Sequence, residues 1–324
     1  MRDSSSTAVL SEQEAAHHGI ITDKQRLLRS RHWASRLNIF SKRVASSMLL
    51  GNTRSRFRGR GMEFEEVRRY QPGDDIRTID WKVSARNPGT FTKLFCEERE
   101  RPCFIIIDQR SSLFFGSNDR FKSVLAAELG TALAWAALSM GDRVGAQIIG
   151  DTSEVDIRAR NSRKALMTLI DHVHQLNSSL LSSALSNDHS MSNDNKAASN
   201  PLSYYLDECL RLIRPGSAVF IISDFHDIDA ECTKTLSKVS KRADTTLLQV
   251  FDPLEKALPK GTLGISDGDE VAKVKVTNAL HNAYEQTLAE QELLLRNAVT
   301  QSNAYLMKIS TASTARDALS QVYR

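Results

Sequence analysis

The run CFIIIDQRSS, Cys103–Ser112, decides how this chain folds. Five apolar residues in succession, three of them isoleucine, end in Asp108 and a loop carrying two hydroxyls. An unbroken β-branched run of this length predicts a strand buried on both faces, as in a parallel sheet covered by helices. Asp-x-x-Ser-Ser directly after it places oxygen ligands at the carboxyl edge of such a sheet, where open α/β folds bind what they bind. The stretch leading into this run, from Arg54, begins RSRFRGRG and is strongly basic.

Downstream, strands and helices alternate. Apolar runs predict strands at 103–108, 144–149, 154–158, 218–223, 245–250 and 304–309. Helical periodicity falls near 118–140, 161–176, 202–213, 229–241, 277–300 and 312–322. The pattern predicts an α/β fold, an open, mostly parallel sheet with helices on both faces. The strand at 154–158 follows its neighbour too closely for a crossover and is expected as an antiparallel edge. The Ser/Asn-rich stretch 178–200 reads as a flexible insertion, and Leu263–Val276 as a surface hairpin.

Upstream, residues 1–22 lack periodicity and are expected as a loose arm. Trp33, Leu37, Phe40, Val44 and Met48 form a narrow apolar stripe that predicts a helix from Asp23 to Leu50. No acidic residue occurs between Lys24 and Arg60. Two readings follow: a docking arm for nucleic acid, an anionic surface or an acidic partner, or a helix whose arginines pair with acidic residues such as Glu63, Glu65, Asp74 and Glu97. From Met62 to Glu100, Gln71-Pro72-Gly73-Asp74 and Asn87-Pro88-Gly89 mark tight turns, and Thr90–Cys96 a strand. The expected organisation is therefore 1–22 arm, 23–101 basic helix with a small β-rich region, and 102–324 main sheet.

The 324 residues, 41% hydrophobic and 25% charged with a net charge of +4, have an ordinary soluble composition. The four cysteines, Cys96, Cys103, Cys209 and Cys232, show no metal-ligand spacing and read as free thiols. The apolar helix from Val124 to Met140 contains Glu128 and is too short for a membrane span. A cytoplasmic protein is expected. No nucleophile elbow, phosphate loop or His-Glu-x-x-His motif is present, so a non-enzymatic role is expected.

Gly59-Arg60-Gly61-Met62-Glu63-Phe64, Val67-Arg68, Tyr70 with Pro72-Gly73-Asp74-Asp75, Arg77 with Ile79-Asp80-Trp81, Ser84-Ala85-Arg86 and Glu97-Glu98-Arg99-Glu100 follow one another in an order that resembles the bacterial family called domain of unknown function 58. Weaker similarity runs through Gly141-Asp142-Arg143-Val144-Gly145 to Asp252-Pro253-Leu254-Glu255. The resemblance implies a von Willebrand factor A-like sheet and a metal-ion-dependent adhesion site holding Mg²⁺. It also implies partnership with a MoxR-type AAA+ ATPase or its client, as an adaptor or co-chaperone. Many members of the family carry two N-terminal membrane helices, which this sequence lacks.

Carried over residue by residue, Asp108 matches the first Asp of the adhesion site's Asp-x-Ser-x-Ser loop, Ser112 its second Ser, and Asp224 the late Asp. Arg110 stands where the first Ser belongs. The position of the site's Thr reads Ser199-Asn200-Pro201, with Asn200 or Ser203 as substitutes. Mg²⁺ demands near-ideal oxygen geometry, and a guanidinium repels it at close range. The expectation is a degenerate site in which Arg110 replaces the cation by pairing with Asp108 or Asp224; Ser111 turning inward would favour a metal instead. Asp108, Arg110, Ser112 and Asp224 are then the partner-binding residues, for an acidic or amide group. The alternatives are a metal-dependent hydrolase at the same edge, and attachment of Lys24–Arg60 to nucleic acid or anionic lipid. A metal centred on His226 with Asp224, Asp227 and Asp229 is disfavoured, since neighbours in a loop rarely converge. His172 and His174, two apart on a helix, face different ways. The Asp74/Asp75 pair, flanked by Arg69 and Arg77, reads as structural.

Overall fold

The run Cys103–Asp108 forms a strand whose alternate side chains enter two separate cores: Cys103, Ile105 and Ile107 one, Phe104 and Ile106 the other. That period of two is what a strand sandwiched between helix layers produces. The computed structural model describes residues 19–40, 62–97, 101–185, 200–256, 259, 261–266 and 271–323. Two units emerge, Gly51–Glu100 and the remainder of the chain.

Two short helices, α1 (Lys24–Arg29) and α2 (Arg31–Ala34), come first. In the smaller unit β1 (Met62–Arg69) pairs antiparallel with β2 (Phe91–Glu97). The larger unit continues with β3 (Cys103–Asp108), α3 (Lys122–Ser139), β4 (Val144–Ile149), β5 (Glu154–Arg160) and α4 (Arg163–Leu185). After it come α5 (Leu202–Leu212), β6 (Ala218–Ser223), α6 (Ala230–Arg242) and β7 (Asp244–Phe251). The hairpin β8 (Gly261–Ser266) and β9 (Val271–Val276), then α7 (Asn278–Ser302), β10 (Tyr305–Ser310) and α8 (Ala315–Val322) complete it.

The six-stranded sheet has the order β10-β7-β6-β3-β4-β5. All pairings are parallel except β4 with β5, the antiparallel edge that the short connection requires. One face is covered by α3, α4 and α8 together with α1 and α2; α5, α6 and α7 cover the other. The fold is thus a mixed α/β, mostly parallel sheet flanked by helices.

Helix α3 is buried on every side from Lys122 to Ala137, which explains its nearly uniform apolar sequence. It seats closely on the sheet because residue 130 is glycine; a Cβ there would run into Cγ1 and Cδ1 of Ile107. This contact seats the middle of α3 against Ile107, the residue before Asp108.

The N-terminal helix is shorter than its stripe predicts. It ends at Ala34 with a break at Ser30, whose hydroxyl turns back to the Leu27 carbonyl at 2.6 Å. Beyond Ala34 the chain leaves the helix, and Leu37 and Ile39 enter the core. Residues 41–50, with Val44 and Met48, lie outside the described residues. Since Leu27, Ala34, Leu37 and Ile39 join the core beneath the main sheet, the expected 23–101 region is divided between the two units. The arginine partners also differ from expectation. Arg26 meets Glu128 at 2.7 Å and Lys24 meets Asp171 at 2.6 Å, so the counter-charges come from α3 and α4. Burial raises the Glu128 carboxyl above its usual range, against the pull of Arg26 and Arg120.

Another correction concerns 178–200. Helix α4 runs on to Leu185 because Leu180 and Leu181 still find apolar cover, Leu181 against Ile21; residues 186–199 lie outside the described residues. In the smaller unit, Arg68 rather than Arg69 or Arg77 holds Asp74, at 2.7 Å, and Asp75 caps a single turn through Arg77 N. Cys103, Cys209 and Cys232 are buried free thiols. Among the described residues no helix is long and apolar enough to cross a membrane.

Candidate functional site

The order of the sheet places β3 beside β6, with the chain leaving β3 toward β4 on one side and β6 toward β7 on the other. This reversal opens a crevice at the carboxyl ends of β3 and β6. Asp108 is the last residue of β3, and Ser223 the last of β6.

Arg110 fills the crevice. Its Nε and Nη2 donate to the two carboxylate oxygens of Asp108 at 3.0 and 2.7 Å, a bidentate fork. Its Nη1 reaches Asp227 at 2.6 Å and the Asn200 carbonyl at 3.3 Å. Asp108 accepts two further bonds, from Arg110 N at 3.0 Å and from the Ser223 hydroxyl at 2.7 Å. Asp108 is fully buried and Arg110 is 3% exposed. Burial pushes the Asp108 carboxyl up, while the Arg110 fork and Ser223 work against it. Burial likewise pulls the guanidinium down, but Asp108 and Asp227 outweigh it, so Arg110 stays cationic.

Lys122, the first residue of α3, supplies a second buried cation. Its ammonium lies 3.0 Å from Asp224 and 2.6 Å from Glu255. Burial raises the Asp224 carboxyl, but the His226 hydrogen bond and the Lys122 charge outweigh it and hold the group well below the usual range. Between Asp224 and His226, Phe225 adopts φ +57°, a left-handed conformation that costs a bulky residue about 1–2 kcal/mol. Its N–H bonds to the Ser223 hydroxyl at 3.2 Å. This tight turn is how the end of β6 sends Asp224 toward Lys122 and Asp227 toward Arg110.

A buried amide chain braces the loop between the two cations. Gln109 Nε2 donates to the Ser123 carbonyl, Asn177 Nδ2 donates to Gln109 Oε1, and Thr22 N donates to Asn177 Oδ1, all between 2.7 and 2.9 Å. Gln109 adjoins Arg110, and Ser123 adjoins Lys122. The N-terminal segment is thereby tied to the site. His174 joins it from the side through Thr22 Oγ1 at 2.8 Å.

Of the four residues expected to converge, Asp108 and Arg110 meet directly. Asp224 belongs to the neighbouring Lys122 cluster and does not pair with Arg110. The Ser112 hydroxyl is buried without a hydrogen-bond partner among the described residues and does not reach Asp108. Ser111 turns outward, its N and Oγ on Asp151 at 3.0 and 3.1 Å. Asn200 contributes only its carbonyl. Lys122 carries no local signal in the sequence, since its partners Asp224 and Glu255 sit 102 and 133 positions away, and Glu255 stands out only as the end of the Asp252–Glu255 run.

This donor set does not fit a divalent ion. The four acceptor positions of Asp108 are taken, two of them by a guanidinium within 3.0 Å; Lys122 holds Oδ2 of Asp224 and His226 its Oδ1. Among the described residues no group of three or more His, Cys, Asp or Glu side chains converges as metal ligands do.

The model of the family described as "Protein of unknown function DUF58" matches residues 66–293. The chain belongs to this DUF58 family. It is 25% identical over 291 residues to an uncharacterized protein of Mycobacterium tuberculosis, covering 89% of this chain and 86% of that one. Over 89 residues it is 33% identical to the uncharacterized protein YeaD of Bacillus subtilis, 28% of this chain and 20% of the relative. Among solved structures, the conserved hypothetical protein BatB from Bacteroides thetaiotaomicron is similar at a TM-score of 0.39 and 12% identity, covering 68% of this chain and 96% of that chain. The SpRpn10 VWA domain is similar at 0.31 and 8%, covering 69% and 95%.

His226 makes this DUF58 site sensitive to pH. Its hydrogen bond to Asp224, 3.0 Å at Nδ1, raises the imidazole above its usual 6.5. A raised histidine adds stability that is fully present below its unfolded pKa and is lost as pH climbs through the folded one. Thermal melts of wild type and His226→Gln should therefore differ below the ordinary histidine range and converge as pH rises above the raised value. The ring is half exposed, which keeps the difference below about 1 kcal/mol. A gap that stays constant with pH would contradict this assignment.

Proposed function

We propose that this DUF58 protein is a non-enzymatic protein-binding module that uses the carboxyl edge of its sheet. In this reading the edge is a degenerate adhesion site, with Arg110 and Lys122 standing where a metal-dependent site would hold its cation. The observation supporting it is the Arg110 fork on Asp108, which makes the edge rigid and complete without a ligand. The partner class is a MoxR-type AAA+ ATPase or its client, and that rests on the family resemblance alone.

The geometry narrows what the edge can recognise. Arg110 is buried and its donors are committed, so recognition of an acidic group through it is not favoured. Four carboxylates (Asp108, Asp224, Asp227 and Glu255) surround two fixed cations, and the rim presents His226, Asp227, Glu255 and Asp151. Such a rim suits a cationic or amide group. Beside it a cavity of about 280 Å³, lined by Phe225, His226, Phe251, Tyr284 and Leu288 among others, has room for one large side chain of the partner. No observation favours the hydrolase alternative.

The test is direct binding of the purified chain to a MoxR-type ATPase from the same organism, comparing wild type with an Asp151→Lys/His226→Ala variant. The variant should bind about tenfold or more weakly, with circular dichroism verifying that it still folds. Equal binding would move the contact off this edge. Failure of wild type to bind would remove the partner class.

A further inference from the structure

Away from the sheet edge, α1, α2 and the start of α4 enclose a cleft of about 420 Å³. Arg29, Arg31, His32 and Arg163 line it, and among the described residues no carboxylate does. Its apolar wall consists of Trp135, Leu28 and Met167. We infer that this cleft is a binding site for a phosphate-bearing organic anion.

The contrast with neighbouring cations carries the inference. Lys24 and Arg26 belong to the same acid-free segment, yet each has a carboxylate, Asp171 and Glu128 respectively. The three arginines and His32 facing the cleft have no carboxylate partner among the described residues. Arg29 has only a 3.5 Å contact with Gln25 Oε1, and the Arg31 guanidinium lies 5.9 Å from the Trp135 ring centroid. Like charges gathered around a concave surface repel one another unless an anion joins them.

The chemistry of the lining narrows the class of anion. Three guanidinium groups present planar forks, the geometry that matches phosphate in bidentate fashion. Arg163 is also the first residue of the 23-residue α4, so the positive end of that helix adds to the field. The volume is that of a small-molecule site rather than an extended protein interface, and Trp135, Leu28 and Met167 offer cover to an apolar moiety attached to the phosphate. A soluble phosphate monoester and a phospholipid headgroup share this chemistry.

The experiment titrates the full chain with phenyl phosphate, with benzyl alcohol as the neutral counterpart, and separately with phosphatidylcholine vesicles with and without phosphatidic acid. Arg31→Gln and Arg163→Gln should each weaken binding about tenfold. Both side chains are exposed, and matching melting temperatures will verify the fold. Lys24→Gln removes the same charge from the same region outside the cleft and should leave binding within about twofold.

Binding of phenyl phosphate with this variant pattern supports a soluble ligand. The same pattern on phosphatidate vesicles, with phenyl phosphate silent, supports a headgroup. Equal loss in Lys24→Gln would reduce the effect to diffuse charge and overturn the site. Equal binding of benzyl alcohol, or no binding of either phosphate probe, would also overturn it. So would an oligonucleotide whose binding survives saturating phenyl phosphate.

Discussion

Arg110→Ser is expected to destabilise the protein by ~3–5 kcal/mol in the presence of a chelator, a fall in melting temperature on the order of 10 °C. The wild-type side chain neutralises two carboxylates, one of them fully buried. Without it, Asp108 keeps only the Ser223 hydroxyl and the backbone N–H of residue 110, too little to offset burial of an ionised carboxylate. The same substitution recreates the Asp-x-Ser-x-Ser spacing from Asp108 to Ser112 and removes the charge that repels a metal. Mg²⁺ or Mn²⁺ should therefore raise the melting temperature of the variant and leave wild type unmoved. Stabilisation of wild type by Mg²⁺, abolished in Asp108→Ala, would sink the proposal that Arg110 stands in for the ion. A variant as stable as wild type would show that the fork contributes little.

Lys122→Met should have an effect nearly as large, about 2–4 kcal/mol, because it strands Asp224 beside Glu255. The partial exposure of Glu255 and the remaining His226 contact keep it below the full cost of an unpaired buried charge. The dependence on pH follows from the direction of the Asp224 shift. A carboxyl held below its ordinary 3.8 contributes stability above that value and loses it as pH falls through the folded pKa. The gap between wild type and Lys122→Met should thus be full at neutral pH and narrow on acidification below about pH 4. Urea unfolding at a series of pH values reads this directly. A gap that stays constant on acidification would mean Lys122 acts through packing rather than through Asp224.

The two variants probe different halves of one site, and those halves were not equally visible in the amino-acid order. Asp108 and Arg110 are two residues apart in a loop after a strand that announces itself through CFIII, so local geometry alone brings them together. The departure of Arg110 from the adhesion-site pattern is visible for the same reason. Asp224 follows the equally apolar Ala218–Ile222. Its pairing with Lys122 instead of Arg110 depends on how α3 lies over the sheet, where Gly130 seats closely against Ile107. Nothing near Lys122 in the chain marks its partners.

The basic N-terminal segment makes the same point. Its lack of acidic residues is plain in the sequence, but which of its cations are neutralised is not. Arg26 and Lys24 find Glu128 and Asp171 on helices that follow much later, whereas Arg29, Arg31 and His32 face outward with Arg163.

By itself the sequence determined the alternating α/β plan, the strands at 103–108, 144–149 and 218–223, the antiparallel edge, and the pairing of Asp108 with Arg110 at the sheet's end. These rest on periodicities of two and 3.6 residues and on contacts between near neighbours, which the order of residues encodes directly. Only the tertiary structure decided that α1 and α2 pack on α3, that α4 continues to Leu185, that Lys122, Asp227 and Glu255 join the candidate site, and that three arginines and a histidine gather at one cleft. Those facts depend on which strands lie side by side and how closely each helix approaches the sheet. Ion pairs between residues a hundred positions apart form only after that packing has brought them within reach.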